Sequence, residues 1–66
     1  MRKGQKVSWN TSQGRTEGRT VERRTEDFEL DGQQFRASED DPYWVVESAK
    51  SGKRAAHKQS SLTPED

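Results

Sequence analysis

The sequence lacks cysteine and is poor in hydrophobic residues, which make up 24% of its 66 positions. Without cysteine, disulfides and thiolate metal sites are excluded, which favours a reducing compartment. No apolar run reaches the length of a signal peptide or a membrane span. A single histidine leaves a zinc site short of ligands, so we expect no metal and no cofactor. We therefore expect a cytoplasmic protein with no membrane partner.

The chain also lacks an excess of positive or negative charge, since its 12 basic and 12 acidic side chains cancel. Bulk DNA and anionic membranes attract proteins with a clear positive excess, and this chain has none. Serine, histidine and aspartate occur without a motif that would organise them as a catalytic triad, and no phosphate-binding glycine loop is present. We expect no catalytic residues and no enzymatic activity.

The chain does contain turn-forming residues at regular intervals. Glycines, Asp-Gly, Asp-Pro and Ser-Gly pairs divide it into five short segments, several of them rich in alternating, β-branched or aromatic residues. This pattern predicts a small all-β, five-stranded barrel, an architecture that commonly serves as a binding module. The expected core is Val7, Trp9, Val21, Phe28, Leu30, Phe35, Val45, Val46 and one or both of Tyr43 and Trp44.

The first two predicted strands differ in length. Alternation around Val7 and Trp9 predicts that these two side chains share the core face of a strand over 6–10. A longer strand is predicted over 15–26, and Gly18 within it indicates a bulge or a sharp bend.

Asp31-Gly32 is the clearest turn signal, because a type I′ hairpin turn needs positive φ at both central positions. A two-residue loop there sets Phe28 opposite Phe35 and Leu30 opposite Gln33. The same register sets Asp27 opposite Arg36, an opposite-charge pair on the other face. We expect a tight hairpin with an aromatic pair.

Tyr43-Trp44-Val45-Val46 is the most apolar segment and is predicted as the next strand. Since its side chains alternate, either Tyr43 and Val45 or Trp44 and Val46 point outward unless something covers them. Ser51-Gly52 predicts a second hairpin that returns over 53–58. We expect the barrel over 1–58 and a short polar C-terminal tail over 59–66, which Leu62 can hold against the barrel by a short helical turn.

Three stretches carry a resemblance to a known family: KGQKVSWNT at 3–11, ASEDDP at 37–42 and SGKRAAHK at 51–58. They resemble the hypervirulence-associated-protein Tudor domain family, short single-domain proteins common in bacteria and also found in fungi. The resemblance implies an SH3-like, Tudor-like barrel, in agreement with the strand count. It implies no established biochemical activity. The aromatic residues in the middle of this chain are more numerous than the family leads one to expect.

Protein or peptide binding through the barrel surface is the favoured function, because exposed strand edges suit extended peptides. An uncovered aromatic residue, Trp44 or Tyr43, would be the contact. We expect an unidentified protein partner and a monomeric chain. Changing Trp44 to alanine separates a contact residue, whose loss abolishes binding, from a core residue, whose loss unfolds the domain.

Two alternatives remain open. Nucleic acid is one, because Arg15, Arg19 and Arg23 share parity and would line one face of a regular strand, with Lys53 and Arg54 on the last hairpin. Interleaved glutamates favour a solvated mixed-charge face instead. The other alternative is methylated lysine or arginine, held in a cage of aromatic rings beside the acidic loop. The residues for such a cage are Trp9, Phe28, Phe35, Tyr43, Trp44, Asp40 and Asp41.

Overall fold

The computed structural model describes residues 1–65, and the prediction of an all-β protein is confirmed. Its strands are β1 (Lys6–Thr11), β2 (Gly14–Arg24), β3 (Phe28–Leu30), β4 (Gln33–Phe35), β5 (Tyr43–Ser48), β6 (Arg54–Lys58) and β7 (Thr63–Pro64). A 3₁₀ turn, Gln59–Ser61, connects β6 to β7. Within residues 1–65 no helix is long and apolar enough to cross a membrane.

The main sheet has five strands in the order β6-β5-β2-β1-β7, and β3 and β4 form a separate two-stranded sheet. The architecture is that of a Tudor-like barrel whose sheet is not closed, because β6 and β7 remain its two edges. The expected strand count is right for this sheet, but one assignment was wrong. The segment after Asp31-Gly32 leaves the sheet, and the fifth strand is Thr63–Pro64, in the expected tail.

The hairpin predicted at Asp31-Gly32 is confirmed. Both residues have positive φ, 53° and 78°, and Phe28 pairs with Phe35 as expected. The ladder ends at this aromatic pair, so the predicted pairing of Asp27 with Arg36 is not part of it. The turn chemistry therefore fixed the register of the three pairs next to the loop and did not extend it to a fourth.

Gly18 lies on β2 between β1 and β5, with no room for a side chain. It pairs with Val7 of β1 on one side and Ser48 of β5 on the other. A Cβ at this position would overlap the carbonyl oxygen of Glu47 and lie 2.8 Å from Cη2 of Trp9. Only glycine lets the Trp9 ring lie against the backbone here, so the residue marks a close approach and not a bulge.

The irregularity predicted at Gly18 is found at Val21 instead. Thr20 pairs with Val46 and Glu22 with Val45, so Val21 is the extra residue of a β-bulge. A bulge reverses the faces to which the following side chains point, because strand side chains alternate. Val21 is accordingly half-buried and not the core anchor expected of it.

The buried apolar cluster consists of Val7, Trp9, Trp44, Val46 and Leu62, with Ala55 packed against it. Phe28 and Val45 are also buried, whereas Leu30 and Phe35 are half-buried. Leu62, 7% exposed, follows the 3₁₀ turn and brings the last described residues onto the sheet. Each large side chain of this kind contributes roughly 1.5–3 kcal/mol when fully buried, so the loss of one is a large fraction of the stability.

We expect Gly18→Ala to destabilise the protein by about 1–3 kcal/mol, because the methyl group would overlap backbone that cannot move without separating β2 from β5. The measurement is urea unfolding followed by tryptophan fluorescence. Glu17→Ala is the control, since Glu17 is the exposed neighbour on the same strand and its loss should change the free energy of unfolding little. Equal stabilities of the two variants would contradict the close approach.

We expect Trp44→Ala to lower the free energy of unfolding by about 3–5 kcal/mol, because the ring is 2% exposed and sits in the main cluster. Phe35→Ala, in the half-buried hairpin, should cost clearly less. Thermal melts monitored by circular dichroism compare the two. A native melt for Trp44→Ala would show that the ring contributes little to the core.

Candidate functional site

The two edges of the main sheet differ in how they meet the solvent. β7 is two residues long and contains Pro64, which has no backbone N–H to offer. β6 is five residues long, contains no proline and ends the sheet on the other side. Short edge strands and prolines are the usual protection against pairing with another chain. One edge is therefore protected by its backbone, and the other is open.

The backbone groups of β6 that face away from β5 follow from two hydrogen bonds. Ser48 N donates to the Lys53 carbonyl at 2.9 Å, and Gln59 N donates to the Pro42 carbonyl at 3.0 Å. Lys53 and Gln59 therefore direct these groups toward β5 and its start. Because the direction alternates along an antiparallel strand, Arg54, Ala56 and Lys58 direct their N–H and C=O groups to the free edge.

A groove of about 240 Å³ runs beside this edge. It is lined by Leu30, Asp31, Gln33 and Phe35 of the β3–β4 hairpin and by residues 54–57 of β6. Successive side chains of a strand point to opposite faces, so four consecutive residues can line one groove only where it follows the strand's backbone. We call β6 together with this groove the open edge.

An aromatic cluster holds the hairpin against β5. The rings of Phe28 and Phe35 stack at 5.2 Å between centroids, and Tyr43 packs against them at 5.8 Å and 5.4 Å. The guanidinium of Arg24 lies 5.0 Å from the Phe28 centroid. The hairpin thus covers the outward face of β5, which explains why side chains on both faces of this strand are buried or half-buried.

The rings considered for a methyl-cation cage do not form an open box. Phe28, Phe35 and Tyr43 are in direct contact with one another, at the spacing of packed aromatic pairs. Trp9 and Trp44 are in the core, 5% and 2% exposed. A cage needs rings separated widely enough for a cation to lie between them, and this cluster has no such gap.

Trp44 is placed so that it has no area to offer a partner. Its ring is buried, and its indole Nε1 donates to Oε1 of Gln59 at 2.8 Å. The pair that faces outward is Tyr43 and Val45, and Tyr43 is half-buried beneath the hairpin. Hydrogen bonding of the indole to the 3₁₀ turn makes Trp44 a structural link between β5 and the end of the chain.

The arginines of β2 do not share a face, contrary to the expectation from a regular strand. Arg19 pairs with Glu47, before the bulge, whereas Arg23 pairs with Trp44, after it. Because the bulge reverses the alternation, Arg23 points to the face opposite that of Arg15 and Arg19. Arg15 is further engaged by an ion pair with Glu65 and donates to Oγ of Ser8 at 2.8 Å. The bulge therefore divides the basic stripe.

Of the other predicted site residues, Arg54 lies on β6 and Asp41 contacts this strand through Lys58. Arg54 lies 3.6 Å from the Glu47 carboxylate, and Lys58 lies 3.0 Å from that of Asp41. The hydrogen bond with Asp41, and then its charge, raise the pKa of Lys58 above its ordinary value. Lys53 and Asp40 are exposed on the flanking loops.

A larger concavity, of about 730 Å³, lies between the β1–β2 loop and the β5–β6 loop. Its described lining is polar or charged apart from Ala49, with Arg15 and Lys50 among the contributing residues. Binding sites are usually lined by several apolar side chains with a few polar ones. This concavity has no such lining, and the open edge does.

Sequence reasoning missed the residues that line the groove on the β6 side, Ala55, Ala56 and His57. Two small residues in a predicted edge strand were the available signal, because small side chains leave the backbone accessible. The groove also needs Leu30 and Phe35 beside β6, and nothing in the local pattern indicated that the hairpin folds over β5.

Comparison with known families gave one match. A family model described as "Hypervirulence associated proteins TUDOR domain" matches residues 4–62. The matched region includes all the strands except β7 and contains every residue of the open edge. Searches among curated proteins and among solved structures returned no match.

We expect the stability of the protein to decrease as pH falls through the range just below 6.5. Burial lowers the pKa of His57 from its ordinary value of about 6.5, so the unfolded chain binds its proton at higher pH than the folded chain does. Folding places the imidazole with its centroid 5.4 Å from that of the Trp9 ring, where the neutral form is preferred. Above pH 6.5 His57 is neutral in both states and the stability is highest. As the pH falls from 6.5 to the lower pKa of the folded state, the unfolded chain gains the proton first and the free energy of unfolding decreases.

Urea unfolding at pH 7.5, 6.5 and 5.5 measures this effect. His57→Gln is the matched variant, because it removes the titrating group and keeps a polar side chain of similar length. The variant should show a smaller decrease between pH 6.5 and 5.5 than the parent. An equal decrease in both proteins would assign the effect to other groups.

Proposed function

The chain belongs to the family of hypervirulence-associated proteins with a Tudor domain, and on that basis we propose that it binds a protein segment by strand addition at the open edge. The family supports a small interaction module. The geometry supports the finer statement, that the ligand is an extended segment hydrogen-bonded along β6. Extended peptides commonly bind by adding a strand to an exposed sheet edge, with side-chain pockets that supply specificity.

The single observation that carries the proposal is the combination of free backbone groups and an adjacent groove. The outward groups of Arg54, Ala56 and Lys58 form no backbone hydrogen bond elsewhere within residues 1–65. Leu30 and Phe35 stand beside them as half-buried apolar side chains. Backbone bonds alone would give affinity without selectivity, and the groove adds a place for a side chain.

The protected opposite edge supports the same proposal. The protection of that edge is local to β7, which is two residues long and contains Pro64. Glu65, directly after it, is tied back to the sheet by an ion pair with Arg15 of β2 and by Ser8 Oγ of β1, which donates to Glu65 Oε2 at 3.0 Å. A protein that protects one edge by strand length and by proline and leaves the other open has an asymmetry that strand addition explains.

Nucleic-acid binding has less support from the geometry. A backbone-tracking surface needs several unengaged cations on one face, and the bulge places Arg23 opposite Arg15 and Arg19. Arg15 is held by Glu65.

We expect Ala56→Pro to abolish peptide binding and to leave the fold intact. Proline removes the outward N–H of Ala56, which the β5 ladder does not use, and edge strands tolerate proline where the N–H faces solvent. The ligand is a peptide selected on the parent protein from a displayed library of random seven-residue sequences. Ala56→Ser is the control, because it keeps the N–H and nearly the same volume.

The measurement is amide hydrogen exchange by NMR with and without the selected peptide. Addition of a strand should slow exchange at Arg54, Ala56 and Lys58 in the parent and the control. Because Ala56→Pro could alter folding, a second arm uses the parent protein with peptides N-methylated at alternate amides. Methylation of one alternate set should abolish binding and methylation of the other should not. Protection elsewhere, or equal binding of both methylated sets, would contradict strand addition.

A further inference from the structure

Resting on the proposed function, we infer that the strand accepted by the open edge is acidic, with carboxylates at two positions four residues apart and an uncharged apolar residue midway between them. The pattern follows from three consecutive outward-facing positions of β6. It identifies the ligand by its chemistry: an extended acidic segment of another protein.

The sequence of β6 and of the residues before and after it carries charge of only one sign, and the acids near it, Glu47, Asp41 and Asp31, come from other strands and loops. Between Glu47 and Glu65 the sequence contains Lys50, Lys53, Arg54 and Lys58 and no aspartate or glutamate. This segment includes all of β6 and both of its flanks. In a chain whose total charges cancel, the open edge strand of the main sheet contains no acidic residue. A partner strand with negative side chains complements this edge.

The spacing of the carboxylates follows from the pairing of β6 with β5. Arg54, Ala56 and Lys58 pair with Glu47, Val45 and Tyr43. Tyr43 contacts the hairpin rings, so these β6 side chains lie on the sheet face that the hairpin covers. Residues directly opposite each other on antiparallel strands share a face. The partner therefore presents one acidic residue to Arg54, another to Lys58, and the residue between them to Ala56.

The middle position of the partner should be apolar and uncharged. Ala56 is small, and Leu30 and Phe35 line the groove beside it. Asp31, on the hairpin turn, lines the same groove and would repel a carboxylate there. The cations of β6 thus determine the two acidic positions of the partner strand, and the groove beside Ala56 determines the apolar one.

The two cations can exchange their present partners. The Arg54–Glu47 and Lys58–Asp41 pairs are both about half exposed to solvent, with side-chain exposures of 57% and 45% in the first and 47% and 51% in the second. Exposed ion pairs are weak and form and break readily. A carboxylate on an added strand would lie directly opposite each cation and can compete with the existing acid or join it.

The same residues disfavour a second copy of the chain as the occupant. The antiparallel register that pairs the full length of two β6 strands is centred on Ala56 and sets Arg54 of each opposite Lys58 of the other. Like charges directly opposite each other are destabilising. The open edge is therefore selective by charge, against itself and in favour of an acidic strand.

The experiment compares three capped seven-residue peptides that contain threonine except at the second, fourth and sixth positions. Valine occupies the fourth position, and the second and sixth are both glutamate, both glutamine or both lysine. Amide shift titrations give Kd values and identify the binding surface. A single-stranded oligothymidine with six phosphates is a fourth probe. We expect the glutamate peptide to bind about three- to tenfold more tightly than the glutamine peptide, and the lysine peptide to bind more weakly still.

The matched protein variants have equal net charge. The double variant Arg54→Gln, Lys58→Gln should lose the preference for the glutamate peptide. The control double variant Lys3→Gln, Lys6→Gln changes one residue before β1 and one on it, and it should keep the preference. Comparable shifts of β6 amides with the glutamine or lysine peptide would overturn the acidic inference and leave strand addition standing. Shifts confined to other strands, unaffected by Ala56→Pro, would overturn both. Tighter binding of the oligonucleotide than of the glutamate peptide, or no binding of any peptide, would overturn the acidic inference.

Discussion

The close packing of the Glu47 backbone and the Trp9 ring against Gly18 is the constraint on which the rest of the structure depends. The position lies between β1 and β5, and the absence of a side chain lets the Trp9 ring rest against the backbone. The ring then reaches His57 of β6, 5.4 Å away. One large side chain of β1 thus contacts β2 at the centre of the sheet and β6 at its edge. In a chain with few apolar residues, this is how a small core extends across the whole domain.

The bulge at Val21 has the next largest consequence. It changes which face of β2 each later side chain occupies and therefore separates charges that look equivalent in the sequence. β5, which pairs with β2, has apolar side chains on both faces: Trp44 and Val46 lie in the core, and Tyr43 packs against the hairpin. The hairpin is a second layer that covers β5 and leaves a groove beside β6. The candidate site follows from a covering layer that ends one strand before the edge of the sheet.

Sequence reasoning predicted the features that depend on near neighbours. The all-β class, the turn at Asp31-Gly32 and the pairing of Phe28 with Phe35 follow from alternation and turn chemistry. Three features that depend on distant contacts were left open or missed: the close approach at Gly18, the burial of Trp44 and the strand at the end of the chain. Glycine in a strand is compatible with a bulge or with a close approach, and only the position of the Trp9 ring decides between them. Likewise, the burial of Trp44 and the strand formed by Thr63–Pro64 depend on which segment covers which face, and local patterns do not contain that information.

The zero net charge and the basic edge have a combined effect on recognition. At physiological ionic strength charges are screened beyond about 8 Å, and at larger distances an overall neutral molecule exerts little attraction on polyanions in general. At contact distance, a partner meets the cations of β6, two of which, Arg54 and Lys58, are held only by half-exposed ion pairs with Glu47 and Asp41. Charge then acts on register and selectivity more than on long-range capture. The same cations protect an exposed edge from pairing with copies of itself, which is a common use of basic residues on edge strands. The cations of β6 therefore have two effects with one cause: they disfavour pairing with the β6 strand of another copy and favour pairing with a strand of opposite charge.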